Sequence, residues 1–183
     1  MSDSQWSRYQ VFQQSNENEP HQYVGSVHAP DPELALQNAR DVFVRRPDCL
    51  SLWVAPAEQM LHRTGEQLAE WTAPVDMQPD GGQIFHIFCK LTSAGMAEKV
   101  GEVRGDTAEQ ALSQALKKFT FKSPPFTWIV VPEQAVTRST EEDIGPMFSA
   151  AQSKPFRQSS YYHVISEMRA ARKQAKNQTG EGS

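Results

Sequence analysis

A chain of 183 residues with a formal net charge of −4 has room for one domain or two small ones, and its charge gives no sequence-wide attraction to phosphate backbones, which argues against nucleic-acid binding. Two cysteines, Cys49 and Cys89, do not make a disulfide framework, and the opening residues MSDSQWSRYQ lack a charged-then-apolar export signal. No apolar run approaches the roughly 18 residues that span a bilayer, so the expectation is a cytosolic protein with no membrane partner.

In chain order, Tyr9 and Val11 alternate with Arg8 and Gln10, the period of two of a half-buried strand. Residues 15–20 read as a turn, and residues 22–28 as a second strand with Tyr23, Gly25 and Val27 on one face, so residues 8–28 form a hairpin. A glycine at position 25 either permits close backbone approach or marks a β-bulge, and both readings stand. Asp31 followed by Pro32 is a helix start: an oxygen-bearing cap, then proline at the first helical position, where a missing N–H costs nothing. The helix should end near Arg46, because Pro47 disfavours helical geometry before it. Residues 50–54 complete the unit as a third strand.

The unit then returns. With a shift of 76 residues, Val24, Gly25 and Val27 fall on Val100, Gly101 and Val103, and Glu33, Ala35, Leu36, Ala39 and Phe43 fall on Glu109, Ala111, Leu112, Ala115 and Phe119. Tyr9, Val11 and Phe12 fall on Phe85, Ile87 and Phe88. Allowing for one residue lost from the first copy, Trp53, Val54, Glu58 and Gln59 would fall on Trp128, Ile129, Glu133 and Gln134. Such a period reports repeated supersecondary units. In the second copy Asp106 or Thr107 caps the helix, and with Asp106 as cap, Glu109 completes a capping box.

The expected organisation is therefore α+β: two tandem β-β-α-β repeats at residues 1–62 and 84–136, a linker at 63–83 pinned by Leu68 and Trp71, and an irregular segment, helix and disordered tail at 137–183. In the last part, Val164, Ile165, Met168 and Ala171 recur at helical spacing over residues 161–176. Units of about 55 residues bury only roughly 60% of their unfolded surface, so the two should lean on each other. Three strands leave exposed edges, so edge pairing between the copies or with another chain is expected.

The inventory of catalytic signatures is thin. No Glu is followed three residues later by His, the pattern of a di-iron carboxylate bundle, and there is no C-x-x-C, G-x-S-x-G, G-x-x-x-x-G-K or G-x-G-x-x-G. His86 and Cys89, three apart on a strand, point to opposite faces, and Cys89 reads as a small core residue. His28 reads as an exposed strand-end residue, with ligand or base as the sharper alternative. Arg45 and Arg46 meet the negative end of the helix dipole, a sufficient structural role, or else grip an acidic partner or a phosphate. Trp53 and Trp128 read as core or interface rings rather than cofactor platforms. Lys154, Phe156, Arg157, Tyr161 and Tyr162 mix aromatics with cations, which suits a docking strap or a strap folded back on its own domain.

Several short blocks in the right order complete this reading: residues 21–29, HQYVGSVHA; residues 35–41, ALQNARD; Arg45-Arg46; residues 51–54, SLWV; residues 153–157, SKPFR; and Tyr161-Tyr162. Together they resemble the B subunit of phenylacetyl-CoA epoxidase. The resemblance implies a fold of the ubiquitin-like α/β roll type. It also implies a non-catalytic role, with no cofactor bound by this chain, bridging a di-iron oxygenase A subunit and a structural C subunit and assisting docking of the reductase. The doubling departs from that family's pattern and suggests a covalent pseudo-dimer. An acyl-CoA-binding module using Arg45, Arg46 or the C-terminal basic residues is the alternative from another class, and an enzyme using His28 or Cys89 is the third.

Overall fold

The computed structural model describes residues 6–44, 49–73 and 82–152, together with Met168. Its centre is one eight-stranded antiparallel sheet, which makes the fold α+β. Strands β1 (Ser7–Gln14) and β2 (Gln22–Ala29), helix α1 (Pro32–Phe43) and strand β3 (Ser51–Pro56) come first. Strands β5 (Gln83–Lys90) and β6 (Ala97–Gly105), helix α3 (Ala108–Lys118) and strand β7 (Thr127–Pro132) repeat that order. Each run ends in a 3₁₀ turn, Ala57–Gln59 in the first and Glu133–Ala135 in the second.

Local chemistry sets the helices. Asp31 caps α1 by accepting from the Leu34 amide at 2.7 Å, with Pro32 in the first turn. In α3 the cap is Thr107, which accepts from the Gln110 amide at 3.2 Å, while Gln110 Oε1 accepts from the Asp106 amide at 2.9 Å. Thr107 and Gln110 therefore do the capping, not Asp106 and Glu109. Helix α1 stops at Phe43, with Val44 as its C-cap, earlier than the proline at 47 required.

Both glycine readings are correct at once. The register slips between Val11 and Phe12 in β1–β2 and between Ile87 and Phe88 in β5–β6, leaving Val24 and Val100 as extra residues of a bulge. Gly25 and Gly101 beside them have φ of +147° and +154°, and a Cβ on either would lie 2.7 Å from the tip of Phe43 or Phe119. The helix ring packs directly on glycine backbone. The bulge also corrects one expectation: Tyr23 does not share a face with Val27. Val27 packs under α1, whereas Tyr23 turns to the opposite side, because one inserted residue inverts the alternation.

The offset of 76 holds through the third strands without a lost residue. Val11 faces Val54, Phe12 faces Trp53, and Tyr9 faces Pro56; Ile87 faces Val130, Phe88 faces Ile129, and Phe85 faces Pro132. Trp53 therefore corresponds to Ile129, and Trp128 to Leu52. Matching tryptophan to tryptophan slips the strand by one residue and would put the two rings on equivalent faces, when they lie on opposite ones.

Among the described residues three buried clusters follow. One lies between α1 and the first three strands, the second between α3 and its strands, and the third on the other side of the sheet, where Phe12, Trp53, Ala55, Phe88, Ala97, Ile129 and Val131 meet. Equivalent residues touch: Phe12 packs on Phe88 with ring centroids 4.3 Å apart, and Gln22 of β2 pairs with Glu98 of β6. That bridge, with the Lys99 amide donating to the His21 carbonyl at 2.8 Å, joins the halves of the sheet.

The outer edges are covered crosswise. Strand β4 (Leu61–Thr64) leaves the first half and pairs with β7, and β8 (Thr137–Arg138) leaves the second and pairs with β3. Helix α2 (Gly65–Ala69) follows β4, with Leu68 and Trp71 against the second core; α4 (Glu141–Gln152) follows β8, with Met147 and Phe148 against the first. The stretches read as linker and as irregular chain thus open on a strand and a helix each. Their alternation is too short to register as periodicity, because the apolar contacts are made on the other half. The expected helix over residues 161–176 falls outside the described residues, apart from Met168.

Candidate functional site

Trp53 stands at the middle of a polar aromatic cluster. The His21 imidazole stacks on its indole at 3.8 Å between centroids, and His86 lies 4.9 Å away. The Arg138 guanidinium and the Lys99 ammonium sit 4.6 and 5.0 Å from the indole centroid. Register delivers these groups: β8 pairs Arg138 opposite Trp53, and the β2–β6 junction carries His21 and Lys99 to the same place.

Two carboxylates balance the cations. Glu133 Oε2 is shared by His86 Nε2 and Arg138 Nη2, and Glu102 Oε1 accepts from Lys99 Nζ at 2.8 Å. Glu102 also lies 3.3 Å from His86 Nδ1, outside hydrogen-bonding geometry. Burial pushes the His21 pKa down to about 4, helped by Lys99, His86 and Arg138. Burial and Lys99 lower that of His86, against the pull of Glu133 and Glu102. Glu102 is held below the usual carboxylate range, first by the Lys99 hydrogen bond. For Glu133 burial acts upward, but Arg138 and His86 outweigh it and the net shift is downward. The result is a charge-compensated plug over a buried indole only 8% exposed.

At the positions 76 residues away the same framework holds different side chains. Ile129 stands where the first half has Trp53, Ala57 where the second has Glu133, and Gln10, Tyr23 and His62 where it has His86, Lys99 and Arg138. Here the structure has an open cleft of about 400 Å³ rather than a plug.

Of the residues singled out from sequence for partner contact, Trp53 and Trp128 are described, and they do not come together. Trp128 is buried beneath α3, edge-on to Phe121 at 5.7 Å. Arg45, Arg46, Lys154, Phe156, Arg157, Tyr161 and Tyr162 lie outside the described residues. His28 is exposed at the end of β2, its carbonyl accepting from Asn38 Nδ2 at 3.2 Å. Both thiols are buried in the helix-side cores, and burial pushes each up to about 12; Cys89 faces away from His86. Sequence reasoning missed His21, Lys99, Glu102, Glu133 and Arg138. A constant offset of 76 would have exposed them, since it pairs Gln10 with His86 and Ala57 with Glu133.

Among the described residues, no group of three or more His, Cys, Asp or Glu is arranged to hold a metal ion, and no helix is long and apolar enough to cross a membrane.

The family model described as "Phenylacetic acid degradation B" matches this chain twice, over residues 5–79 and 82–169. A curated relative, the B subunit of 1,2-phenylacetyl-CoA epoxidase from Escherichia coli (strain K12), is 37% identical over 76 residues, a match that spans 80% of that protein and 42% of this chain. No solved structure matches. Two consecutive matches to one family model, each covering one run of strand, strand, helix and strand, place the sequence in a family: the chain belongs to the phenylacetic acid degradation B family.

Proposed function

We propose that this chain is a non-catalytic, cytosolic component of a multicomponent di-iron monooxygenase that converts phenylacetyl-CoA to its ring 1,2-epoxide. In this reading it bridges the catalytic A subunit, which holds the iron, and the structural C subunit, and assists docking of the reductase. The observation that carries the proposal is the relationship to the B subunit of an epoxidase at 37% identity over 80% of that protein. The crosswise edges support the bridging part. With β4 on β7, β8 on β3 and Phe12 on Phe88, the two β-β-α-β runs are tied together within one antiparallel sheet, and in this reading they act as a covalent pseudo-dimer. A chain of this construction presents two related surfaces that cannot dissociate from each other.

Co-expression with the A and C subunits of such an oxygenase, with the affinity tag on this chain, tests the proposal. All three should elute together at low salt. Consumption of phenylacetyl-CoA should need the A subunit and reductase, and the chain alone should show none. Failure to associate at low salt would remove the bridging role, and turnover by the isolated chain would remove the non-catalytic one.

A further inference from the structure

The cleft beside Ile129 is the counterpart of a site the protein fills with its own side chains, so the filled half shows what the open half lacks. In the filled half an indole and a carboxylate occupy the space, Trp53 and Glu133, ringed by His86, Lys99 and Arg138. In the open half Ile129 and Ala57 fall short of both, and the cleft of about 400 Å³ is of a size that takes a small ligand.

The walls fit the same two missing groups. Tyr23 supplies an aromatic side and Met60 a polarizable thioether, both suited to a ring against the Ile129 floor. Among the described residues that line the cleft none is acidic, and Arg8, whose counterpart in the other half is the uncharged Ile84, brings a guanidinium. His62 takes the place of Arg138 as a ring N–H donor. The Gln10 side chain, in the position of His86, buries its Oε1 without a hydrogen bond from any described residue. An amide held that way is a group awaiting a partner, and a half-turn about its last bond presents N–H instead of oxygen.

We propose that this cleft binds a small aromatic carboxylic acid, the ring lying over Ile129 between Tyr23 and Met60 and the carboxylate held by Arg8, His62 and the Gln10 amide. The free acid thus replaces the indole and carboxylate that Trp53 and Glu133 provide in the other half. This inference is independent of the bridging role, since it concerns the isolated chain.

Calorimetry on the full chain at pH 7, with indole-3-acetate and phenylacetate as probes, tests it. One site per chain with a Kd on the order of 0.1 mM is expected for an acid of this size. Indole alone, carrying the ring, and acetate alone, carrying the charge, should each bind at least about tenfold more weakly. Arg8→Ala, at an exposed position, should weaken both acids about tenfold while leaving indole unchanged. The double substitution Ile129→Trp with Ala57→Glu copies the filled half into the open one and should abolish binding in a folded protein. Absence of saturable heat up to 10 mM of either acid, or binding that survives both Arg8→Ala and the filled variant, overturns the proposal; so does equal binding of indole, which would mark a merely apolar cleft. A cleft that takes only a side chain of a partner protein would give the first of these results.

Discussion

The two halves of this protein share a backbone to the level of a single bulge, yet one holds a plugged site and the other a cleft. Gly25 and Gly101 take the same left-handed conformation under equivalent phenylalanines, and the strand pairings repeat residue for residue. Against that constancy, Trp53, His86, Glu133 and Arg138 are replaced by Ile129, Gln10, Ala57 and His62. The difference teaches that packing on the helix side and composition on the other side are separable. The helix side is constrained by close approach, while the opposite side changed its chemistry without moving a strand.

The strongest test of the shared framework is at its centre. Phe12 and Phe88 are both fully buried and meet each other, so Phe12→Ala and Phe88→Ala should each destabilise by about 3–5 kcal/mol in denaturant unfolding. The double variant should lose less than the sum, because the contact is shared. Unequal single losses, differing by more than about 2 kcal/mol, would show that the halves do not bear on this contact alike.

The difference between the halves should appear as a pH dependence. His21 titrates near 6.5 when unfolded and near 4 when folded, so between those values the unfolded chain binds more protons. Stability is then fully present above about pH 6.5 and falls as pH drops towards 4, by up to about 3 kcal/mol. Ala97 occupies the counterpart position and contributes no such slope. His21→Ala should therefore flatten the stability profile over this range; a slope that persists unchanged would assign it elsewhere.

A smaller effect, common to both halves, is expected at the glycines. Gly25→Ala and Gly101→Ala force a Cβ to within 2.7 Å of a phenylalanine ring and a strained φ, and each should cost about 1–3 kcal/mol. Shortening the ring with Phe43→Leu should relieve the clash in Gly25→Ala but leave the backbone strain. The caps come last. Asp31→Ala and Thr107→Ala should each cost about 1 kcal/mol, read as a shift in thermal midpoint, whereas Asp106→Ala should have little effect.

How far the sequence could be read depended on the range of the interaction. Asp31 and Pro32 announced a helix because a cap is made within three residues, and the shift of 76 was visible because both copies retain their glycine, alanine and leucine spacing. The tryptophans misled, since matching residue identity hid a register in which Trp53 and Trp128 face opposite ways. The cluster around Trp53 was illegible because the groups that surround the indole lie about 30 to more than 80 residues from it along the chain and reach it only through strand pairing.

What the sequence by itself determined is the unit: its strand periods, its helix boundaries to within a few residues, and the fact of its repetition, all consequences of local hydrogen bonding and of apolar spacing along one element. Only the tertiary structure decided which face each ring occupies, that β4 and β8 cross to the opposite half, and that one of two equivalent sites is filled. Those outcomes depend on the pairing of distant strands, where a single bulged residue inverts every side chain beyond it.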